Sequence, residues 1–157
     1  MEAVSAPDMD EIALLSDGLL DAVGVLRREG FNMLLDIGCT DHHPLAPRFE
    51  LSYHFLRFDL HQSAPAPPDR FRLRVFPRDD EPRVATLSHL WPVANWAERE
   101  TYDLFGIVFD GHPHLRRILM PDDWKGYPLR KDYPLRGFDR SFNPGGRIGP
   151  VPPLRES

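Results

Sequence analysis

The chain has 157 residues, 41% hydrophobic and 27% charged, with a net charge of −5, a composition that fits one globular domain plus an appendage. No apolar run approaches the roughly 20 residues of a membrane-spanning helix, and the acidic start MEAVSAPDMDE lacks the basic and apolar regions of a signal peptide. Cys39 is the only cysteine, which excludes an internal disulfide and cannot by itself hold an iron–sulfur cluster. The expectation is a protein that works in the cytosol or on the cytosolic face of a membrane.

Asp8 and Glu11 stand at capping-box spacing before Ile12, Leu14 and Leu15, which predicts a short helix over 8–15. A longer helix starts near Asp17, with Ser16 as N-cap. Its residues Leu19, Ala22, Val23 and Leu26 make one apolar face, and Gly30 stops it. Phe31 to Ile37 reads as a strand with Met33, Leu35 and Ile37 on one side. Asp41–Arg48 is a connection with two prolines. Phe49, Leu51, Tyr53 and Phe55 alternate with polar residues in a half-buried strand. From Leu56 the apolar positions become even-numbered (Leu56, Phe58, Leu60), the mark of a bulge or twist.

After a proline-rich loop over 61–69, Phe71, Leu73 and Val75 define a third strand, and PRDDEP is an exposed acidic turn. A helix from about Pro92 to Leu104 follows, with Pro92 in its first turn and Gly106 at its end. The fold class expected is α+β: a two-layer sandwich of a mainly antiparallel sheet with helices on one face. Phe49, Leu51, Tyr53, Phe55, Phe71, Leu73 and Val75 are its predicted core, with Leu19, Val23 and Leu26 opposite. The division is an α+β domain over 1–110 and a long irregular C-terminal tail over 111–157.

That tail is unusual. Prolines at 113, 121, 128 and 134 and glycines at 111 and 126 forbid a continuous helix or central strand. Yet it carries Leu115, Ile118, Leu119, Met120, Trp124, Tyr127, Leu129, Tyr133 and Leu135, unlike a disordered tail. An irregular segment this apolar needs a surface to lie on. Residues 1–110 hold 10 Lys/Arg against 19 Asp/Glu, and 111–157 hold 9 against 5, so an acidic body carries a basic tail. Such a tail meets an acidic surface or nucleic acid.

Glu98, Arg99, Glu100 and Asp103 form the charged face of the last helix, with Arg99 and Asp103 spaced to pair at i, i+4. Carboxylates in this number can do acid–base work, but beside one arginine they more often make a structural ion network or a docking face. His42-His43 and His112-Pro113-His114 are isolated pairs without the further ligands a zinc site wants. No GxGxxG, Walker A or GxSxG motif is present; Gly145-Gly146 is a turn. Arg116, Arg117, Arg130, Lys131, Arg136 and Arg140, interleaved with Trp124, Tyr127, Tyr133 and Phe138, suit either single-stranded nucleic acid or a protein interface. The pI of about 5.8 favours protein.

The run Glu98-Arg99-Glu100, Asp103, Leu104-Phe105, His112, Arg116, Ile118 and Leu119, inside HLWPVANW and GHPHLRRILMPDDWKGYPLRKDYPL, resembles the 30-kDa subunit family of respiratory complex I, the proton-pumping NADH:quinone oxidoreductase. The match spans about 85–135. His114 stands where the family usually has Asp, and the family's first strand and part of its first helix read as reduced or absent. The resemblance implies a non-catalytic assembly subunit of the peripheral arm, on the cytoplasmic side of the membrane. It implies no cofactor in this chain, while NADH, FMN, iron–sulfur clusters and quinone belong to the whole complex. The implied partners are the 49-kDa-type protein, near the quinone site, and neighbouring iron–sulfur subunits, with no nucleic acid. Relatives also serve membrane-bound hydrogenase-type and other quinone-reducing complexes. The signature and interface residues are then Glu98, Arg99, Glu100, Asp103, His112, Arg116, Arg117, Trp124, Tyr127, Arg130, Lys131 and Asp132. The basic residues of the tail are expected to meet acidic groups or carbonyls, some of them on the helix itself.

Overall fold

A computed structural model describes residues 9–58 and 69–134. Residues 61–68 of the predicted loop over 61–69, Asp8, Leu60 and everything from Leu135 on, including Arg136, Phe138, Arg140 and Gly145-Gly146, lie outside the described residues.

The first element is a correction. Asp10–Leu15 is a strand, β1, not a helix. Ile12 and Leu14 are half-buried toward the core, while Glu11 points the other way with Arg72. This alternation is the period of two that DEIALL contains; the capping-box spacing competed with it and lost. A 3-10 turn over Ser16–Gly18 leads into the helix α1, Leu19–Arg28, whose N-cap is Gly18 without a side-chain bond, so Ser16 is not the cap. Leu19, Val23 and Leu26 are buried as predicted, and Gly30, with φ 90°, ends the turn after the helix.

β2 runs Met33–Asp41, β3 Phe49–Arg57 and β4 Asp69–Phe76. The sheet order is β1-β4-β3-β2, with β2–β3 and β3–β4 antiparallel and β1 parallel to β4. The sheet edge that the sequence left reduced or absent therefore carries β1. The bulge falls between Leu34 and Asp36 in β2, not at Leu56 in β3. The Asp36 side chain accepts the Ile37 amide at 2.8 Å and supports it. This extra residue buries Leu34 and Ile37 together and leaves Met33 and Leu35 exposed, which overturns the expected face Met33, Leu35, Ile37.

One face of the sheet buries Phe49, Leu51, Tyr53, Phe55, Leu73 and Val75 against Leu19, Val23, Leu26, Trp91 and Ala94 of the helical layer; Phe71 is half-buried. The opposite face carries ion pairs across strands, Glu11 with Arg72 and Arg74, and Arg74 with Glu50. The fold class is the α+β sandwich expected.

Two short strands escaped prediction. β5, Arg83–Ala85, pairs in parallel with β6, Val108–Asp110. They bracket the second helix, α2, Ala94–Phe105. Three residues are too few for a periodic signal, but Val84, Leu87, Ile107 and Phe109 are buried and join this unit to the core.

Candidate functional site

Glu98, Arg99 and Asp103 are buried, and Glu100 alone of the four charged residues of α2 is exposed. This charged face, read from the sequence as an ion network or docking face, is covered by the segment 111–134, and Arg117 of that segment pairs with Asp103. That segment contains turns and bends but no helix or strand. Four anchors hold it.

Asp103 makes the first. Its Oδ2 accepts the amides of Ile118, Leu119 and Met120 at 3.0, 2.7 and 2.8 Å. Its Oδ1 accepts Arg117 Nη1 at 2.7 Å. Three consecutive amides converging on one oxygen form a concavity that favours negative charge. Burial pushes the Asp103 carboxyl up, but the amides and Arg117 outweigh it and hold it below the usual carboxylate range. Arg117 Nη2 also donates to the Trp124 and Gly126 carbonyls at 3.2 and 3.0 Å. One carboxylate and one guanidinium thus fix the chain from 117 to 126. The expected Arg99–Asp103 pair does not form. Arg99 donates to the carbonyls of Arg116 and Arg117 at 3.2 and 3.4 Å and lies 4.9 Å from the centre of the Trp96 ring.

Gly106 makes the second. It closes α2 with φ 76°, its amide bonded to the Tyr102 carbonyl at 2.9 Å. A Cβ there would lie 2.5 Å from Tyr127 Cε2 and 2.6 Å from Arg130 Nη2. Only glycine supplies both the left-handed turn and that clearance. Arg130 donates Nε to the Phe105 carbonyl at 2.6 Å, with its guanidinium 5.2 Å from the Phe49 ring and 4.5 Å from the Tyr127 ring. Tyr127 meets Tyr102 edge-on at 6.4 Å.

The third anchor was missed. Asp41 and Arg48, the two ends of what read as a plain connection, form an ion pair at 3.0 Å, with Asp41 buried and Arg48 half-buried. Asp41 Oδ2 also accepts the Lys131 amide at 2.8 Å, and Arg48 Nη2 donates to Asp132 at 2.7 Å. Burial pushes the Asp41 carboxyl up, but Arg48 and the amides of His43 and Lys131 bring it down to about 2. Opposite charges bracketing a proline-containing loop were the available signal.

Glu98 and His112 make the fourth. Glu98 accepts the Leu87 amide at 2.6 Å and the Thr86 hydroxyl at 2.5 Å. His112 Nε2 lies 3.2 Å from the Asn95 carbonyl and 4.0 Å from Glu98 Oε2. Burial pushes the Glu98 carboxyl up to about 7, against the lowering influence of its two donors and His89.

Of the other predicted residues, Arg116 is exposed and Trp124 half-buried, and the Lys131 side chain faces outward. Outside the anchors, Val93, Trp96, Leu119 and Leu129 are exposed at 46%, 63%, 55% and 51%. Among the described residues no group of three His, Cys, Asp or Glu side chains is arranged to hold a metal, and no helix is long and apolar enough to cross a membrane.

The chain is similar to the C 2 subunit of the NADH-quinone oxidoreductase of Rhizobium etli, 46% identical over 123 residues, covering 78% of this chain and 61% of that protein. It is similar to NADH-quinone oxidoreductase subunit 5 of Thermus thermophilus, 45% identical over 126 residues, covering 78% and 60%. It therefore spans about three fifths of the length of the curated relatives it matches. Among solved structures, the trypsin-resistant fragment of Nqo5 aligns with a TM-score of 0.59 at 35% identity, covering 68% of this chain and 82% of that one. A chain of the membrane-bound sulfane sulfur reductase, an archaeal respiratory membrane complex, aligns with a TM-score of 0.68 at 26% identity, covering 85% and 77%. The profile described as "Respiratory-chain NADH dehydrogenase, 30 Kd subunit" matches residues 12–139, and the chain belongs to that family.

Proposed function

We propose that this chain is a non-catalytic assembly subunit of an NADH:quinone oxidoreductase, peripheral on the cytoplasmic side of the membrane, whose irregular segment docks on a 49-kDa-type partner and neighbouring iron–sulfur subunits. NADH, FMN, the clusters and quinone are held by those other subunits. The observation that carries this reading is the division of labour within 111–134. Asp103, Arg117, Arg130 and Asp41 fix an irregular backbone from inside, while Leu119 and Leu129 remain exposed outside. A backbone held this firmly without regular structure presents a surface of fixed shape, and large apolar groups on such a surface are suited to an interface. The buried carboxylates face donors of their own chain, which leaves them poorly placed for acid–base work on a substrate.

The test is substitution on the outward side. Leu119→Asp and Leu129→Asp change exposed residues and are expected to leave the isolated chain as stable as before, within about 0.5 kcal/mol. In cells they are expected to lower the amount of assembled complex recovered with the 49-kDa-type protein. Normal assembly in the double variant would refute the docking role. The likeness to a chain of the sulfane sulfur reductase complex supports a second reading, the equivalent subunit of a complex fed by another donor. Recovery of the native complex without NADH-oxidising activity would favour it. Single-stranded nucleic acid is disfavoured because Tyr127 is already stacked by Arg117 and Arg130, at 5.3 and 4.5 Å; salt-dependent retention of a single strand would revive it.

A further inference from the structure

We propose that Glu98 and His112 form a neutral acid–base pair, a carboxylic acid beside an uncharged imidazole, which exists only while the segment starting at Gly111 covers α2. Both side chains are fully buried, with Glu98 Oε2 4.0 Å from His112 Nε2. The geometry assigns the protons. The His114 amide donates to His112 Nδ1 at 3.0 Å, so that nitrogen must be a bare acceptor and the ring's one proton sits on Nε2. Nε2 then donates to the Asn95 carbonyl at 3.2 Å. A second proton on Nδ1 would point at the His114 amide hydrogen, so the imidazolium does not fit.

That leaves Glu98 without a cation in contact among the described residues. Its surroundings are built to accept it protonated. Thr86 Oγ1 touches Glu98 Oε2, receives the Ser88 amide at 3.1 Å and lies 2.8 Å from Ser88 Oγ. A hydroxyl has one hydrogen and two lone pairs. Turned to Ser88 Oγ, its hydrogen frees a lone pair for the proton of Glu98, while Glu98 Oε1 still accepts the Leu87 amide at 2.6 Å. No hydrogen bond is lost when the acid forms.

The remaining groups facing the pair do not supply a fixed countercharge. His89 lowers the proton affinity of Glu98, but its Nε2 is engaged by the Gly111 carbonyl at 2.9 Å. Tyr53 lies behind the site on β3, wholly buried, its hydroxyl pushed to higher pKa by burial and by Glu98. Arg99 and His114 act on His112 and disfavour its charging, in the same direction as burial. The directions agree with the geometry: Glu98 is pushed up, His112 down. Unfolding then lets a proton leave the acid and another join the imidazole, so charge appears in both groups together.

The consequence is two opposite pH dependences in one protein. Glu98 has a raised folded-state pKa, so its contribution to stability is full at low pH and is lost as pH rises toward about 7. His112 has a lowered one, so its contribution is present above the ordinary imidazole range and is lost as pH falls below it. The experiment is denaturant unfolding of the full chain from pH 5 to pH 8 for the wild type, Glu98→Gln and His112→Gln. The ratio of unfolding constants, wild type over Glu98→Gln, is expected to rise about tenfold per pH unit from roughly pH 5 to 7 and then level. The ratio to His112→Gln is expected to fall with rising pH up to about 6.5 and then level. An ion pair would make the ratio to His112→Gln rise with pH above about 6.5, where the imidazole would stay charged only in the folded chain, and a flat ratio for Glu98→Gln would mean an ordinary carboxylate; either overturns the proposal. Should a variant fail to fold, carbon-13 labelling of glutamate in the wild type decides alone. One side-chain carboxyl is expected to titrate near neutral pH, and all titrating at ordinary acid values would refute the pair.

Discussion

Asp103→Asn tests the central anchor with almost no change in size. The carboxylate accepts three amides on Oδ2 and Arg117 on Oδ1. An asparagine has one oxygen and one NH2, so one set of donors must face another donor whichever way the amide turns. If the oxygen faces the amides, the NH2 meets Arg117 Nη1, which sat 2.7 Å from Oδ1. Arg117, 13% exposed in its side chain, then loses its countercharge. Stranding one member of a buried ion pair costs about 3–5 kcal/mol, a large share of the roughly 5–15 kcal/mol that holds a domain together. For a chain of this size that corresponds to a fall in Tm of roughly 6–20 °C. Urea unfolding gives the free energy, and amide hydrogen exchange locates it. The amides of Ile118, Leu119 and Met120 should lose protection first. A loss below about 1 kcal/mol with these amides still protected would show that the segment is held elsewhere and that the carboxylate is incidental.

Gly106→Ala should cost more than the roughly 1–2 kcal/mol of a left-handed alanine, because its Cβ would also displace the Tyr127 ring from 2.5 Å; a thermal melt within about 2 °C of wild type would contradict this. Asp41 gives the acid side of the pH profile. Its folded pKa of about 2 lies below its unfolded value of 3.8, so its contribution is full above roughly pH 4 and disappears as pH falls through about 2, amounting to about 2 kcal/mol. Asp41→Asn should make the acid-side slope shallower in unfolding experiments between roughly pH 2 and 5, and an unchanged slope would count against it.

Much of the body was legible because one-sided burial writes its period into the chain. β3 and β4 alternate residue by residue, α1 repeats its apolar face every three to four, and the glycines after both helices mark their ends. The family motif over 98–119 was equally plain. Where two local signals competed, sequence alone chose wrongly: DEIALL carries both a capping box and an alternation, and only a partner strand, β4, decides between them. The bulge in β2 is of the same kind, since its register is fixed by β3 and by the Asp36 side chain rather than by local pattern.

The sequence by itself determined that 111–134 is irregular, apolar and basic, because proline and glycine positions rule out helix and strand whatever surrounds them. It did not determine where Glu98, Arg99 and Asp103 point. Carboxylates beside one arginine read as an ion network or a docking face without saying what meets them, and they are buried here because the segment that follows brings amides, carbonyls and a guanidinium onto them. The same holds for Asp41, whose partner amide belongs to Lys131, 90 residues away in the chain. Hydrogen bonds made by backbone atoms have no signature in side-chain identity, so carboxylates that depend on them acquire their roles only when the tertiary fold brings distant backbone within reach.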